Sequence, residues 1–206
     1  MTYTEFIKYV EEHTDRVFVL NVSHLFENNP SLKNFIKNSD FTTAPASTKY
    51  HGNYSGGLLE HSVNVMYELC ILTDKNSLSW YRPESPIIVG LFHDICKVDQ
   101  YKQEIVRIPY YADGKELEAI AHVAGDYNYN NETLFKGHGD KSVMMLASLM
   151  QLTEEEVACI RYHMGAFTDK EEWNDYTRAI HKYPNVLWTH HADMIATHIM
   201  EVDDEN

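Results

Sequence analysis

Cysteine is scarce in this chain. Only Cys70, Cys96 and Cys159 occur, an odd number, each within an apolar helical pattern. That speaks against a disulfide framework, and the thiols read as reduced core residues of a cytoplasmic protein. Basic residues are also few: 17 Lys and Arg stand against 31 Asp and Glu, a formal net charge of −14. This balance argues against a broad electrostatic footprint on nucleic acid and favours a small substrate over a long polymer. A small anionic substrate remains compatible, because bound cations and a few lysines reverse the field locally. No apolar run is long enough to span a bilayer, so no membrane partner is expected. The stretch Met1-Thr2-Tyr3-Thr4-Glu5 has neither the basic start nor the apolar core of a signal peptide. Internal repeats and low-complexity blocks are missing too.

What is there is a 206-residue chain, 44% hydrophobic and 23% charged, ordinary for a globular protein with one sizeable core. Its patterning predicts a single mainly α domain: a helical extension over 1–40, a core over 45–200 and an acidic tail over 201–206. Thr2 with Glu5, and Thr153 with Glu156, have the spacing of capping boxes at helix starts. Arg16 to Val22 is short and valine-rich, readable as strand or extended chain. Pro30 opens a short helix through Leu32, Phe35 and Ile36. Leu58 to Lys75 is strongly amphipathic. Ser85 to Val98 reads as a helix with Ser85 as N-cap and Pro86 in its first turn. An appended β-hairpin is expected at about 102–124, turning at Asp113-Gly114, with Tyr127 to Asn131 as a closing polar loop. Helices follow after Gly137, over Glu154 to Met164, over Trp173 to Tyr183, and from Pro184 onward.

The stretch that organises the chain is Leu91-Phe92-His93-Asp94-Ile95-Cys96-Lys97-Val98. Taken alone, a His-Asp dipeptide is a hydrogen-bonded pair at a helix end. Here it lies in an apolar run, where a buried imidazole and carboxylate need a partner. His61, His138, His163 and Asp193 fall in similar settings, each on the core side or at the end of a helix. An aspartate among Ala192, Met194, Ile195 and Ala196 needs a cation or strong donors. If the helices converge, His61, His93, Asp94, His138, His163 and Asp193 form a divalent-metal site inside a helical body. Mixed imidazole and carboxylate donors suit Mn, Fe, Zn, Co or Ni, with Mg as a further identity. Lys97 lies one turn past His93. Lys141 sits in the first turn of the helix after His138, where backbone amides favour an anion. The glycine-punctuated loop from Phe41 to Gly57 delivers Lys49 and His51 to the start of the next helix. Lys97, Lys141, Lys49 and His51 are therefore the candidate substrate contacts. Arg161 reads as a surface residue paired with an acid.

The order His61, then His93-Asp94, then Asp193 resembles the HD superfamily of metal-dependent phosphohydrolases. The segments Gly56-Gly57-Leu58-Leu59-Glu60-His61-Ser62, Leu91-Phe92-His93-Asp94-Ile95-Cys96-Lys97 and His191-Ala192-Asp193 carry the resemblance, which spans roughly Pro45 to Met200. It implies a helical HD fold with Asp94 as a central ligand able to bridge two ions. His138 and His163 are placed as in the two-metal branch that includes cyclic dinucleotide phosphodiesterases. The chain departs from that branch at Met164, where a second histidine often stands, and it lacks a Gly-Tyr-Pro signature. The Gly-Gly-Leu-Leu-Glu-His segment is similar to the catalytic module of certain 3′–5′ exoribonucleases.

The resemblance implies hydrolysis of a phosphoester by water activated on one or two divalent ions, with Asp94 and Lys97 as the catalytic pair. A nucleotide or a short nucleic-acid end is the expected substrate. Exonuclease action on single strands is the enzymatic alternative. A ligand-sensing HD module without chemistry is the non-enzymatic one. Oligomeric state is not legible from the residues.

Overall fold

The computed structural model describes residues 1–14, 18–50, 52–112, 115–133 and 137–202. His51, the Asp113-Gly114 turn and the last four acidic-tail residues, 203–206, lie outside them. Among the described residues the protein is mainly α, with nine α-helices and one two-stranded antiparallel sheet. No helix among them is long and apolar enough to cross a membrane.

Three helices open the chain: α1 (Tyr3–Glu12), α2 (Val19–Asn28) and α3 (Pro30–Asn38). The Thr2 and Glu5 capping box starts α1 as its spacing predicts. The stretch read as strand or extended chain over Arg16–Val22 is corrected in its described part, because Val19 begins α2. Valine-rich composition is a weak local preference. Burial of Val22, Leu25 and Phe26, at helical spacing, overrides it. These helices reach the rest of the core through edge-to-face aromatic contacts. Phe6 meets Phe26 at 5.5 Å and Phe41 at 6.2 Å, and Phe26 meets Phe92 at 6.3 Å between ring centroids.

Phe92 ends α5 (Ser85–Phe92), which packs along α4 (Gly57–Lys75). Gly90 permits that packing: a Cβ there would stand 2.3 Å from the Met66 Cα. Two corrections apply to α5. Glu84, not Ser85, occupies the cap position; the Ser85 hydroxyl instead donates to Glu156 Oε1 at 2.8 Å. The helix expected over Ser85–Val98 also stops at Phe92, and the chain resumes as a 3₁₀ turn over Ile95–Lys97. His93 and Asp94 sit in the break, and both side chains are buried.

The hairpin consists of β1 (Tyr101–Ala112) and β2 (Lys115–Tyr129), longer than expected. Tyr127, Asn128 and Tyr129, read as loop, pair instead with Gln103, Lys102 and Tyr101 beyond an irregularity between Gln103 and Ile105. The remaining helices are α6 (Gly139–Ala147), α7 (Glu154–Arg161), α8 (Trp173–Lys182) and α9 (Asn185–Ile195). The Thr153 and Glu156 capping box begins α7, which ends before His163, earlier than the Met164 expected. Past α9, residues Ala196–Met200 form a π turn closed by the Glu201 amide donating to the Ala196 carbonyl at 3.0 Å.

Candidate metal centre

His61 comes from the second turn of α4, His93 and Asp94 from the break after α5, His163 from the turn after α7, and Asp193 from α9. Their donor atoms converge. His61 Nε2 lies 3.2 Å from His93 Nε2, 3.3 Å from Asp193 Oδ1 and 3.8 Å from Asp94 Oδ2. His93 Nε2 lies 3.6 Å from Asp94 Oδ2, and His163 Nε2 lies 3.5 Å from Asp94 Oδ1. Nitrogen and oxygen ligands at about 2.0–2.1 Å from a tetrahedral ion stand about 3.4 Å apart. Separations of 3.2–3.8 Å fit donor atoms around a small cation, and the donors close as two triads, His61, His93 and Asp94, and His93, His163 and Asp193.

The hydrogen bonds on the far side of each ring fix its orientation. His93 Nδ1 donates to the Gly90 carbonyl at 2.8 Å, and His163 Nδ1 donates to the Ile160 carbonyl at 2.7 Å. A carbonyl accepts only, so each Nδ1 carries a proton and each Nε2 is turned inward, where the neutral form of the ring offers its lone pair. His61 Nδ1 donates to the Glu201 carboxylate at 3.1 Å. An imidazole whose outer N–H is held by a carbonyl or carboxylate is the usual arrangement of a metal-ligating histidine. His163 Nε2 is buried and has no hydrogen-bond partner among the described residues, a costly state that an ion would relieve.

Glu201 was not singled out from the sequence: the acidic tail it opens carries no readable chemistry. The structure corrects this. The π turn after α9 brings its carboxylate onto His61 Nδ1, and Asn64 Nδ2 of α4 donates to it at 3.1 Å. Only the packing of α9 against α4 makes the pair, since the two residues are 140 positions apart. Glu201→Gln is expected to weaken ion binding by about 10–100-fold, the usual consequence of losing a carboxylate behind a histidine ligand. Competition titration against a chromophoric chelator measures this, and unchanged affinity would show that Glu201 does not orient the ring.

Lys97 is buried with its Nζ 2.5 Å from Asp94 Oδ2. Burial works against the ammonium, and Asp94 overrides it and raises its pKa. Burial also opposes ionisation of Asp94, yet Lys97 and His93 hold the carboxyl well below its ordinary range. Burial, helped by the neighbouring His163 and His61, outweighs Asp94 and Asp193 and pushes His93 down to about 4, consistent with a neutral ligand. For His61 burial is outweighed by Asp193 and Glu201, which lift it to about 9. Without an ion, His61 is therefore protonated at neutral pH, and metal uptake must displace that proton. Ion affinity is expected to rise with pH up to about 9, by about tenfold per pH unit for each proton displaced. Calorimetry in buffers of different ionisation enthalpy counts the protons. Binding that is independent of pH between 6 and 9 would contradict the assignment of His61.

His138 caps α6, with a side chain 41% exposed and Nδ1 3.7 Å from Asp94 Oδ1. Contacts to Asp94 and Cys96 raise it to about 9. Gly139 brings this corner in: a Cβ there would lie 2.0 Å from the Arg161 carbonyl oxygen. A cleft of about 390 Å³ opens over the cluster, walled by Tyr50, Tyr101, Tyr129 and Phe167, with His61, Asp94, Lys97, His138 and Asp193 on its floor. His190, not anticipated as a site residue, also lines it; its Nδ1 donates to the His163 carbonyl at 2.8 Å. Its place one turn before Asp193 on α9 is the signal for it in the sequence. Lys49 is exposed, while its neighbours Thr48 and Tyr50 line the cleft. Lys141 is buried and donates to Gln100 Oε1 at 3.3 Å. Arg161 pairs with Asp140 and Glu172 as read.

Fold and site together define a mainly α protein with a buried His/Asp cluster fit to hold a metal ion. No family model, no curated protein and no solved structure matches the chain.

Proposed function

We propose that the protein is an HD-type, metal-dependent phosphohydrolase acting on a phosphoester of a nucleotide or a short nucleic-acid end. The observation that carries this reading is the outward pinning of three Nδ1 protons. It leaves the Nε2 atoms of His61, His93 and His163 facing the carboxylates of Asp94 and Asp193. That donor set, in the order that resembles the HD superfamily, suits a divalent ion of the first transition row. A divalent ion held there supplies Lewis acidity and lowers the pKa of water toward neutrality.

The side chains around it have separate tasks. His61, His93, Asp94 and Asp193 hold the ion, and Glu201 keeps His61 in its ligating orientation. Lys97 keeps a positive charge on the cleft floor, where it offsets charge on phosphoryl oxygens. Tyr50, Tyr101, Tyr129 and Phe167 offer aromatic faces on which a base can stack. The cleft volume, about 390 Å³, is within the range of small-molecule sites. Lys49, His51 and Lys141 remain proposed substrate contacts only.

The test is elemental analysis of gently purified protein, then a phosphoester screen with Mn, Mg, Fe, Co and Ni. Turnover of mononucleotides that is insensitive to salt, without trimming of oligonucleotides, is expected. Salt-sensitive trimming of single strands would instead identify an exonuclease. Ion binding without hydrolysis of any phosphoester would overturn the enzymatic reading in favour of a ligand-sensing module.

A further inference from the structure

The two oxygens of Asp94 face different neighbours. Oδ2 is turned to His61, His93 and Lys97. Oδ1 is turned to His163 at 3.5 Å, His138 at 3.7 Å and the Cys96 sulfur at 3.9 Å. Cys96 Sγ in turn lies 3.8 Å from His138 Nδ1. Asp94, Cys96 and His138 thus form a second convergent group beside the first, sharing its central carboxylate.

We propose that this group is a second ion position with the Cys96 thiolate as a ligand, bridged to the first through Asp94. It deepens the phosphohydrolase reading and rests on the first position described above. On residue type alone Cys96 is a core thiol, and the resemblance to the two-metal branch implies only His138, His163 and Asp94 for a second ion.

Four observations support the assignment. With about 2.3 Å to sulfur and about 2.0 Å to nitrogen, sulfur and nitrogen ligands of a tetrahedral zinc-like ion stand about 3.5 Å apart, close to the 3.8 Å found here. The buried Nε2 of His163, which completes no hydrogen bond, lies 3.5 Å from the same Asp94 oxygen, so a second nitrogen donor is in place. Both carriers are pinned: the Cys96 amide donates to Ser142 Oγ of α6 at 3.2 Å, and the Ser142 amide donates to the His138 carbonyl at 2.9 Å. Finally, Cys96 is fully buried while His138 is 41% exposed, which gives an ion a way in from the cleft and an open face toward it.

On binding, the ion takes the sulfur lone pair and the thiol proton leaves to solvent, with no change of oxidation state. A thiolate among imidazole and carboxylate donors selects zinc, cobalt(II) or iron(II) over magnesium, calcium or manganese. This position is therefore softer than the first, where the donors are nitrogen and oxygen only.

The experiment is an anaerobic titration of the metal-free full chain with cobalt(II) chloride alone, followed by ultraviolet absorption and elemental analysis. Wild-type protein is expected to take two ions and to develop a thiolate-to-cobalt charge-transfer band. Cys96→Ser and Cys96→Ala should each take one ion and lack the band, with unchanged far-ultraviolet circular dichroism. His61→Ala should weaken the other ion and keep the band. Two ions without a band, or a band that survives in both Cys96 variants, would overturn the proposal. One ion and no band in the wild type would overturn it and leave the phosphohydrolase reading intact. No ion at all would overturn both.

Discussion

Asp94→Asn is expected to abolish retention of metal and phosphoester hydrolysis while changing the side-chain volume very little. Both carboxylate oxygens are committed in the native protein, Oδ2 within 3.8 Å of His61, His93 and Lys97, and Oδ1 within 3.7 Å of His138 and His163. An amide presents one neutral acceptor and one donor. The donor meets either Lys97 or a ring nitrogen, and the formal charge that attracts a cation is gone. Ion affinity should fall by more than about 100-fold, since even orienting residues behind a ligand are worth about 10–100-fold. A stability cost accompanies the loss. Lys97 is left as a buried cation without its counter-charge, and breaking such a pair costs about 3–5 kcal/mol. The double variant Asp94→Asn, Lys97→Met separates the two effects: stability should recover, ion binding should not. Elemental analysis and thermal melts with and without added metal measure both. Retention of ions at wild-type stoichiometry by Asp94→Asn would sink the assignment of this residue as the central ligand.

Glu156→Ala is expected to produce the largest loss of stability without touching a ligand. Its carboxylate is fully buried and accepts from Arg82 Nε and Nη2, each at 2.8 Å, from Ser85 Oγ at 2.8 Å and from the Thr153 amide at 2.9 Å. It thus closes the capping box of α7 and clamps the start of α5 in the same act. Truncation strands a buried hydroxyl and an arginine whose side chain is 31% exposed. That partial exposure puts the cost at the lower end of the range for a broken buried pair, about 3 kcal/mol. For a chain of this size the melting temperature should fall by about 6–12 °C. The loss should reach the candidate metal centre as well, because α5 leads into His93 and Asp94 and α7 leads into His163. A melting shift below about 1 kcal/mol equivalent would mean the cluster behaves as a surface ion pair.

How much of the site was legible follows from what periodicity reports. Apolar spacing shows which face of a helix is buried. Leu58, Val65 and Leu69 marked the inner face of α4, and His61 beside them was correctly read as inward. A buried ionisable residue must have a partner, so the apolar settings of Asp94 and Asp193 predict a cation or strong donors beside them. The break after Phe92 was not legible, because the apolar run continues through Ile95 and Cys96 and a 3₁₀ turn buries them as well as an α-helix would. Lys141 was assigned to an anion on its position in a first turn. The structure adds a partner that position alone does not report: the buried ammonium donates to Gln100 Oε1.

The residue types and their order determined a mainly helical chain, its capping boxes, its hairpin and the set of nitrogen and oxygen donors available to a metal, because each depends on local spacing or on the cost of burying a polar group. Tertiary structure alone decided that Glu201 stands behind His61, that Cys96 faces His138 across Asp94, and that His190 enters the cleft. Those relations depend on helix crossings and ring orientations set by packing between segments far apart in the chain, which no short window of sequence encodes.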